Sequence, residues 1–236
     1  MITFGDFLKK QDAGTVLDIA CGGGTFTKRL VENLKSYTSI IGLDIKAEFR
    51  DGFLETVDGH DVSFVASSIH DYLKTTDNRF DTISISNALH HLEDVGEVLK
   101  NVWNILNDGG TVIVNEMHRD NLTAAQQTQH DQHKFLANLH STVGEYHRET
   151  WSRREILDFV KNAKLSVQLE YENKNEDAPI IKEPNRMVER TRDAIEKAYQ
   201  AGAPDDVIAE RDRLAVRSSE IGSSPPPQLT LVCVQA

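Results

Sequence analysis

A short apolar run that ends in glycines and leads directly into a helical pattern constrains this sequence more than any other feature. Thr15–Ala20 is strand-like, the turn contains Gly22–Gly24, and Thr25–Leu34 places its apolar residues on one side of a helix. Glycine lets a ligand lie against the backbone because no Cβ intervenes. In an open parallel sheet, such a turn lies at the crevice beyond the carboxyl end of its strand. The start of the chain therefore predicts a ligand-binding α/β sheet.

Strand-like and helical patterns alternate along the first half of the chain. The further strand-like segments are Ser39–Ile45, Val62–Ala66, Asp81–Ser86, Thr111–Val114, Leu165–Tyr171 and Gln228–Val234. Strands that alternate with helices form right-handed β-α-β units. We therefore expect a parallel sheet with helices on both faces.

The remainder of the chain predicts elaborations of one domain that spans 1–236. The core covers 14–118, and a lid covers 119–150, where a polar, histidine-rich helix runs from Asp120 to His140. The segment 151–236 supplies the last helix and the last two strands. The connector between those strands is far longer than the roughly 2–5 residues of a hairpin loop. Its two amphipathic periods predict an inserted helical hairpin over 183–219, which extends the lid, forms a homodimer contact or is a solvated arm.

Composition narrows the class of partner. The chain has 37 acidic and 26 basic residues and a net charge of −11. This charge disfavours nucleic acid and anionic membrane as main partners, and no apolar stretch approaches the ~20 residues that span a bilayer. Two cysteines cannot form a disulfide framework, and the start shows no secretory pattern. We expect a cytoplasmic protein that acts on a small molecule.

Two acids at strand ends indicate what the glycine turn binds. Asp18 lies in the first strand, just before the turn, and a carboxylate there suits a cationic ligand better than pyrophosphate. A third glycine at dinucleotide spacing does not follow, which argues against a nicotinamide-dependent oxidoreductase. Asp44 ends the second strand, where an acid can bind both ribose hydroxyls. Its alternative role is an ordinary helix N-cap.

These motifs resemble the class I S-adenosylmethionine-dependent methyltransferases, in their small-molecule branch, over roughly 15–114. The resemblance implies a Rossmann-like, seven-stranded, mostly parallel sheet with an antiparallel last strand. It implies that the turn holds the methionine part of the cofactor, through Asp18, Ala20, Gly22 and Gly24. It also implies that Asp44, with Ile45, binds the ribose.

The later motifs of the resemblance extend the cofactor site. Ser68 and Ile69 match the loop that borders the adenine, although the family often has Gly-Asp where this chain has Ser67-Ser68. Asn87 opens the stretch after the fourth strand that resembles the small-molecule branch. An Asn-Pro-Pro-Tyr sequence, typical of base amino-methylation, does not stand there. The resemblance therefore favours a small acceptor over nucleic acid.

Histidines cluster after the fourth and fifth strands, where this fold places the acceptor. A neutral imidazole can take the acceptor's proton near pH 7. We predict His118 or His133 as the general base, with Glu116 orienting an imidazole, and O-methylation of a small polar acceptor. The alternative is a divalent metal site formed by Glu116, His118, His130 and His133. The alternative function for the whole chain is that of a cofactor-binding regulatory or partner protein without transferase activity.

Overall fold

The computed structural model describes residues 2–204 and 206–235. They form an α/β fold around one seven-stranded sheet with strand order β3-β2-β1-β4-β5-β7-β6. The strands are β1 (Thr15–Ile19), β2 (Ser39–Asp44), β3 (Val62–Ala66), β4 (Phe80–Ser86), β5 (Leu106–Met117), β6 (Leu165–Asn173) and β7 (Gln228–Gln235). β7 is antiparallel to both of its neighbours, whereas β1 to β5 pair in parallel. The predicted fold class is confirmed.

Helices cover both faces of this sheet. They are α1 (Phe4–Leu8), α2 (Thr25–Asn33), α3 (Arg50–Thr56), α4 (Ile69–Thr75), α5 (Val95–Asn101), α6 (Ala124–Thr142), α7 (Arg153–Asn162), α8 (Pro184–Gln200) and α9 (Val207–Glu220). α5 ends at Asn101, and a 3-10 turn, Val102–Ile105, leads straight from it into β5. Within the described residues, none of these helices combines the length and apolar composition needed to cross a bilayer.

Consecutive residues of the central strands are buried on opposite faces. Leu17 packs in the larger core with Ile83 and Val114, under the helices of one face. Val16 packs in a second core with Phe4 and other side chains of α1 and α2 on the opposite face. Burial on both faces is the reason that β1 and β5 contain continuous apolar runs, such as Val16-Leu17 and Val112-Ile113-Val114, rather than alternating patterns.

The inserted hairpin packs on the predicted lid helix. One apolar cluster joins Phe135 and Leu139 of α6 to Met187 and Ile195 of α8 and to Leu214 of α9. The solvated-arm interpretation is therefore wrong, since the hairpin buries its apolar face against α6. That the hairpin extends the lid or forms a homodimer contact stays a prediction.

Candidate active site

A cleft opens at the carboxyl ends of β1 and β4, where the strand order of the sheet reverses. It comprises two adjoining cavities of about 390 and 590 Å³, both lined by Ala20, Gly22 and Asn87. We call the first the glycine cavity; its other lining residues include Asp18, Gly23, Asn115, Tyr171 and Thr230. We call the second the histidine cavity; its other lining residues include Asp44, Ile45, Phe49, His91, His140 and His147. Both volumes suit a small-molecule ligand.

Backbone strain marks the junction of the two cavities. Ala20 and Asn87 follow β1 and β4 and have φ angles of 54° and 48°. A residue with a Cβ is strained in this left-handed region, and such strain concentrates at functional sites. The Asn87 N–H donates to the Asn115 carbonyl at 2.8 Å, and its Oδ1 accepts the Met117 N–H at 3.1 Å. These bonds hold the β4 end in a conformation that the sequence alone did not indicate.

The glycines of the turn have separate roles. The Gly22 N–H donates to Asp44 Oδ2 at 2.9 Å, which ties the turn to the end of β2. Gly23 also lines the glycine cavity, although the family motifs pointed only to Gly22 and Gly24 in this turn. Gly24 has a φ of 84°, and a Cβ there would lie 3.0 Å from the Phe53 ring. Gly24 is therefore required for the turn and its packing, and it does not line either cavity.

Asp44 lies at the rim of the histidine cavity, as expected for a ribose-binding acid. Its Oδ1 accepts the Lys46 N–H at 2.9 Å, so both carboxylate oxygens have backbone donors. Beside it, Ile45 and Phe49 are 70% and 38% exposed and line the same cavity. Exposed apolar side chains at a concave site offer a surface for a flat ring.

Asp18 is buried below the turn rather than directed freely toward a ligand. Its Oδ2 accepts the Thr27 hydroxyl at 2.5 Å, and its Oδ1 accepts the Ser84 hydroxyl at 2.7 Å. Burial raises the pKa of this carboxyl to about 6, against the opposing effect of the two hydroxyl donors. Asp18 thus lines the glycine cavity as a carboxyl group whose pKa, about 6, is close to neutral pH.

A polar network below the glycine cavity joins three strands. The Asn115 amide donates to Ser86 Oγ at 2.9 Å and to Gln228 Oε1 at 3.1 Å, and its oxygen accepts the Thr230 hydroxyl at 2.7 Å. This network could not be inferred from the sequence, because Asn115 lies on β5 whereas Gln228 and Thr230 lie on β7, far along the chain.

The predicted adenine-bordering residues occupy other positions. Ser68 is the N-cap of α4: its Oγ accepts the Asp71 N–H at 3.1 Å and donates to Asp71 Oδ2 at 2.8 Å. Ile69 is buried in the larger core. Neither residue is among those that line the two cavities, so the structure does not bring these side chains into the cleft.

Five histidines from three segments meet beside the histidine cavity, which three of them line, and we call them the histidine cluster. They are His90, His91, His133, His140 and His147. His147 is central: its Nε2 lies 3.1 Å from His133 Nε2, and its Nδ1 lies 2.8 Å from His140 Nδ1. The His90 and His133 rings pack edge to face at 4.8 Å.

Glu116 anchors the cluster from the sheet. Its side chain is completely buried, and its carboxylate accepts the Leu89 N–H at 2.7 Å and lies 3.0 Å from His90 Nδ1. A carboxylate can only accept, so this contact places a proton on His90 Nδ1. The prediction that Glu116 orients an imidazole agrees with this contact, and that imidazole is His90.

His118 lies outside the histidine cluster, which corrects the expectation that it joins His133. β5 ends at Met117, and the next residue forms a bridge to Trp151. The His118 ring is buried there, with Nε2 3.0 Å from Glu172 Oε1 on β6. His130 points to its own helix neighbours Gln127 and Asp131. The predicted metal set of Glu116, His118, His130 and His133 is therefore not assembled.

Three imidazoles of the cluster, those of His91, His133 and His147, are neutral near pH 7. Burial, and then the neighbouring imidazoles, lower the pKa of His133 to about 3 and that of His147 to about 2. Neutral imidazoles keep a lone pair that can accept a proton or bind a metal ion.

The sheet order, the glycine turn, the strand-end acid and the cleft at the strand ends together define a Rossmann-like class I methyltransferase fold. A family model described as a methyltransferase domain matches residues 10–185. The chain belongs to this methyltransferase-domain family, and the resemblance seen in its motifs is confirmed.

Individual relatives are more distant. The chain is similar to a demethylmenaquinone methyltransferase of Shouchella clausii, with 27% identity over 68% of this chain and 71% of that protein. It is also similar to the ubiquinone biosynthesis O-methyltransferase of Serratia proteamaculans, with 24% identity over 52% and 56%. An uncharacterized methyltransferase of Schizosaccharomyces pombe is 25% identical over 66% of this chain and 55% of its own length. The chain thus spans little more than half of the latter two relatives.

Solved structures match the fold along nearly the whole chain. An S-adenosylmethionine-dependent methyltransferase of Geobacter sulfurreducens, in complex with S-adenosylhomocysteine, superposes with a TM-score of 0.58. Its identity is 11%, over 98% of this chain and 88% of that one. A cyclopropane-fatty-acyl-phospholipid synthase-like protein of Lactobacillus casei gives 0.63 at 14% identity, over 95% and 85%. At these identities the likeness supports the fold alone.

Proposed function

We propose that this protein transfers the methyl group of S-adenosylmethionine to a hydroxyl oxygen of a small polar acceptor. The observation that carries the proposal is the continuity of the cleft: the glycine turn lines both cavities, and Asp44 lines the second one together with His91, His140 and His147. Methyl transfer needs a fixed sulfonium methyl and an acceptor aligned with it. Ala20, Gly22 and Asn87 line both cavities and so join them.

Asp44 and the glycine turn are the proposed cofactor site. The Asp44 carboxylate is fixed by backbone donors at the cavity rim, which suits the two hydroxyls of a ribose. Ile45 and Phe49 offer apolar surface to the adenine beside it. The Gly22–Gly23 backbone and Asp18 surround the glycine cavity, where the methionine part of the cofactor would lie.

Two of the curated relatives support a small acceptor. One is named for ubiquinone biosynthesis O-methylation and another for methylation of demethylmenaquinone. Both names describe small molecules with a ring, and the acidic charge of this chain agrees with such an acceptor more than with nucleic acid.

His91 is the proposed general base in place of His118. His91 lines the histidine cavity, whereas His118 packs against β6. In the reaction, the acceptor oxygen bonds to the methyl carbon, the carbon–sulfur bond breaks, and the hydroxyl proton passes to an imidazole nitrogen. Glu116 and His133 act as positioning residues, because they hold His90 and His147, whose rings lie 4.3 and 4.1 Å from that of His91.

The test is formation of S-adenosylhomocysteine from S-adenosylmethionine with a panel of small phenols and enols, compared with the corresponding amines and thiols. The proposal expects product with hydroxyl acceptors and methyl incorporated on oxygen, located by mass spectrometry. Product with amines or thiols alone would contradict the oxygen assignment. Cofactor binding without turnover on any acceptor would favour the regulatory or partner role.

A further inference from the structure

Three histidines of the cluster present their donor atoms to a common point. His90, His133 and His147 each offer one ring nitrogen, and these nitrogens all lie within 4.8 Å of one another. The residues come from the 3-10 turn after β4, from α6 and from the segment after α6, so the fold assembles them from separate parts of the chain. His90 and His147 are buried and His133 is half-buried.

The second nitrogen of two of these rings is already engaged. His90 Nδ1 is bonded to Glu116, and His147 Nδ1 is paired with His140 Nδ1. The Nε2 atoms of both rings are thus the free donors, and His147 Nε2 lies 3.1 Å from His133 Nε2. Tetrahedral zinc with bonds of about 2.1 Å to nitrogen separates its ligand atoms by roughly 3.4 Å. The separation of His147 Nε2 and His133 Nε2 is close to that value, and the His90 nitrogen lies within 4.8 Å of both rings' donor atoms.

Glu116 supplies the support that such a site requires. A metal-binding histidine almost always donates its other N–H to a carboxylate or carbonyl, which fixes the tautomer and the ring orientation. Glu116, itself completely buried, does this for His90. A hydrogen-bonded imidazole network without metal does not require a buried carboxylate behind one of its members.

We propose that His90, His133 and His147 bind a divalent transition-metal ion of the zinc class. Neutral imidazole ligands favour zinc, cobalt, nickel and iron over magnesium and calcium. Three protein ligands leave a further coordination position. Since His147 also lines the histidine cavity, the ion would lie in the wall of the cleft.

The role of this ion rests on the proposed function. A bound divalent ion lowers the pKa of a hydroxyl that coordinates it. It would therefore select acceptors whose hydroxyl can coordinate the ion and would make that hydroxyl easier to deprotonate. The metal site itself depends only on the histidines and Glu116.

The experiment is titration of the metal-stripped protein with Co²⁺, followed by the visible absorption of tetrahedral cobalt, and with Zn²⁺ in competition with a chromogenic chelator. We expect one ion per chain. His133→Gln and His147→Gln should abolish the tetrahedral spectrum, and Glu116→Gln should weaken binding by about 10- to 100-fold. His130→Gln is the matched control, because it changes a histidine one helical turn away on α6, and it should bind as the wild type does.

Binding that is equal in the wild type and in both His133→Gln and His147→Gln would overturn the proposal, as would absence of binding by the folded wild type. S-adenosylhomocysteine binding is measured on the same samples, and circular dichroism verifies folding. If the protein binds S-adenosylhomocysteine but no metal, the metal site is refuted and the proposed function stands. If it binds metal but neither S-adenosylmethionine nor S-adenosylhomocysteine, the proposed function fails and the metal site stands.

Discussion

The two walls of the cleft are built in different ways. The glycine wall is local: β1, the turn and α2 are consecutive, and their backbone groups form its surface together with Asp18. The histidine wall is assembled from the end of β4, from α6 and from the segment beyond it, and it consists of side chains. A local wall can be inferred from a motif, whereas an assembled wall depends on tertiary structure. The difference also suggests a division of labour, with cofactor binding on one side and reaction with the acceptor on the other.

The largest expected effect tests that division directly. His91→Asn removes the proposed base and should lower kcat by about 100- to 10,000-fold, the usual contribution of general base catalysis. Cofactor affinity should change much less than kcat, because the proposed cofactor contacts are made by the glycine turn, Asp44, Ile45 and Phe49 and not by His91. Steady-state kinetics and calorimetry on the same preparation check both statements. His70→Asn, at an exposed histidine of α4, is the control. Equal losses of kcat and of cofactor affinity would contradict the assignment of cofactor binding and catalysis to different sets of residues.

The pH dependence of stability tests the electrostatics of the glycine wall. The pKa of Asp18 is about 6 in the folded protein, against an ordinary value of 3.8, so the folded state binds its proton more tightly. The protonated Asp18 carboxyl therefore stabilises the folded state at low pH, and this stabilisation is lost as the pH rises through 6. We expect the free energy of unfolding to fall by about 2 kcal/mol between pH 4.5 and 7.5 because of Asp18.

Asp18→Asn should remove this part of the pH dependence. Urea unfolding at a series of pH values measures it, and Asp58→Asn, an exposed acid after α3, should keep the wild-type slope. An unchanged slope in Asp18→Asn would show that this carboxyl titrates normally.

Two neighbouring glycines separate the structural and ligand-binding roles of the turn. Gly24→Ala should destabilise the protein by about 1–2 kcal/mol, because φ is 84° and the new Cβ would press on Phe53. Gly23→Ala should change stability by less than about 0.5 kcal/mol, since that side of the residue is open, but it should weaken cofactor binding. Thermal unfolding and calorimetry distinguish the two. Reversed results would exchange the roles assigned to these residues.

The smallest effect concerns Ser68. Loss of the α4 cap in Ser68→Ala should cost about 1 kcal/mol of stability. Cofactor affinity should stay at the wild-type value, because the hydroxyl is bonded to Asp71. A marked loss of affinity would restore Ser68 to the cofactor site.

The sequence predicted the sheet, the turn and Asp44 because each depends on neighbouring residues: apolar runs, glycine and a strand-end acid. It failed for His118 because a position just past a strand end does not specify which way the side chain turns. It assigned no separate role to His147, and it gave no signal for the Asn115 network, because those contacts join residues far apart in the chain. Family motifs likewise placed Ser68 and Ile69 by position, whereas their side chains cap a helix and fill the core.

Calorimetric titration with S-adenosylhomocysteine tests the central claim most directly, using the wild type, Asp44→Asn and the control Asp58→Asn. We predict one site per chain in the wild type and in the control. Asp44→Asn should bind about 10- to 100-fold more weakly, the usual effect of losing hydrogen bonds to a charged group. No binding by the folded wild type, or equal binding by Asp44→Asn, would contradict the assignment of this cleft to the cofactor.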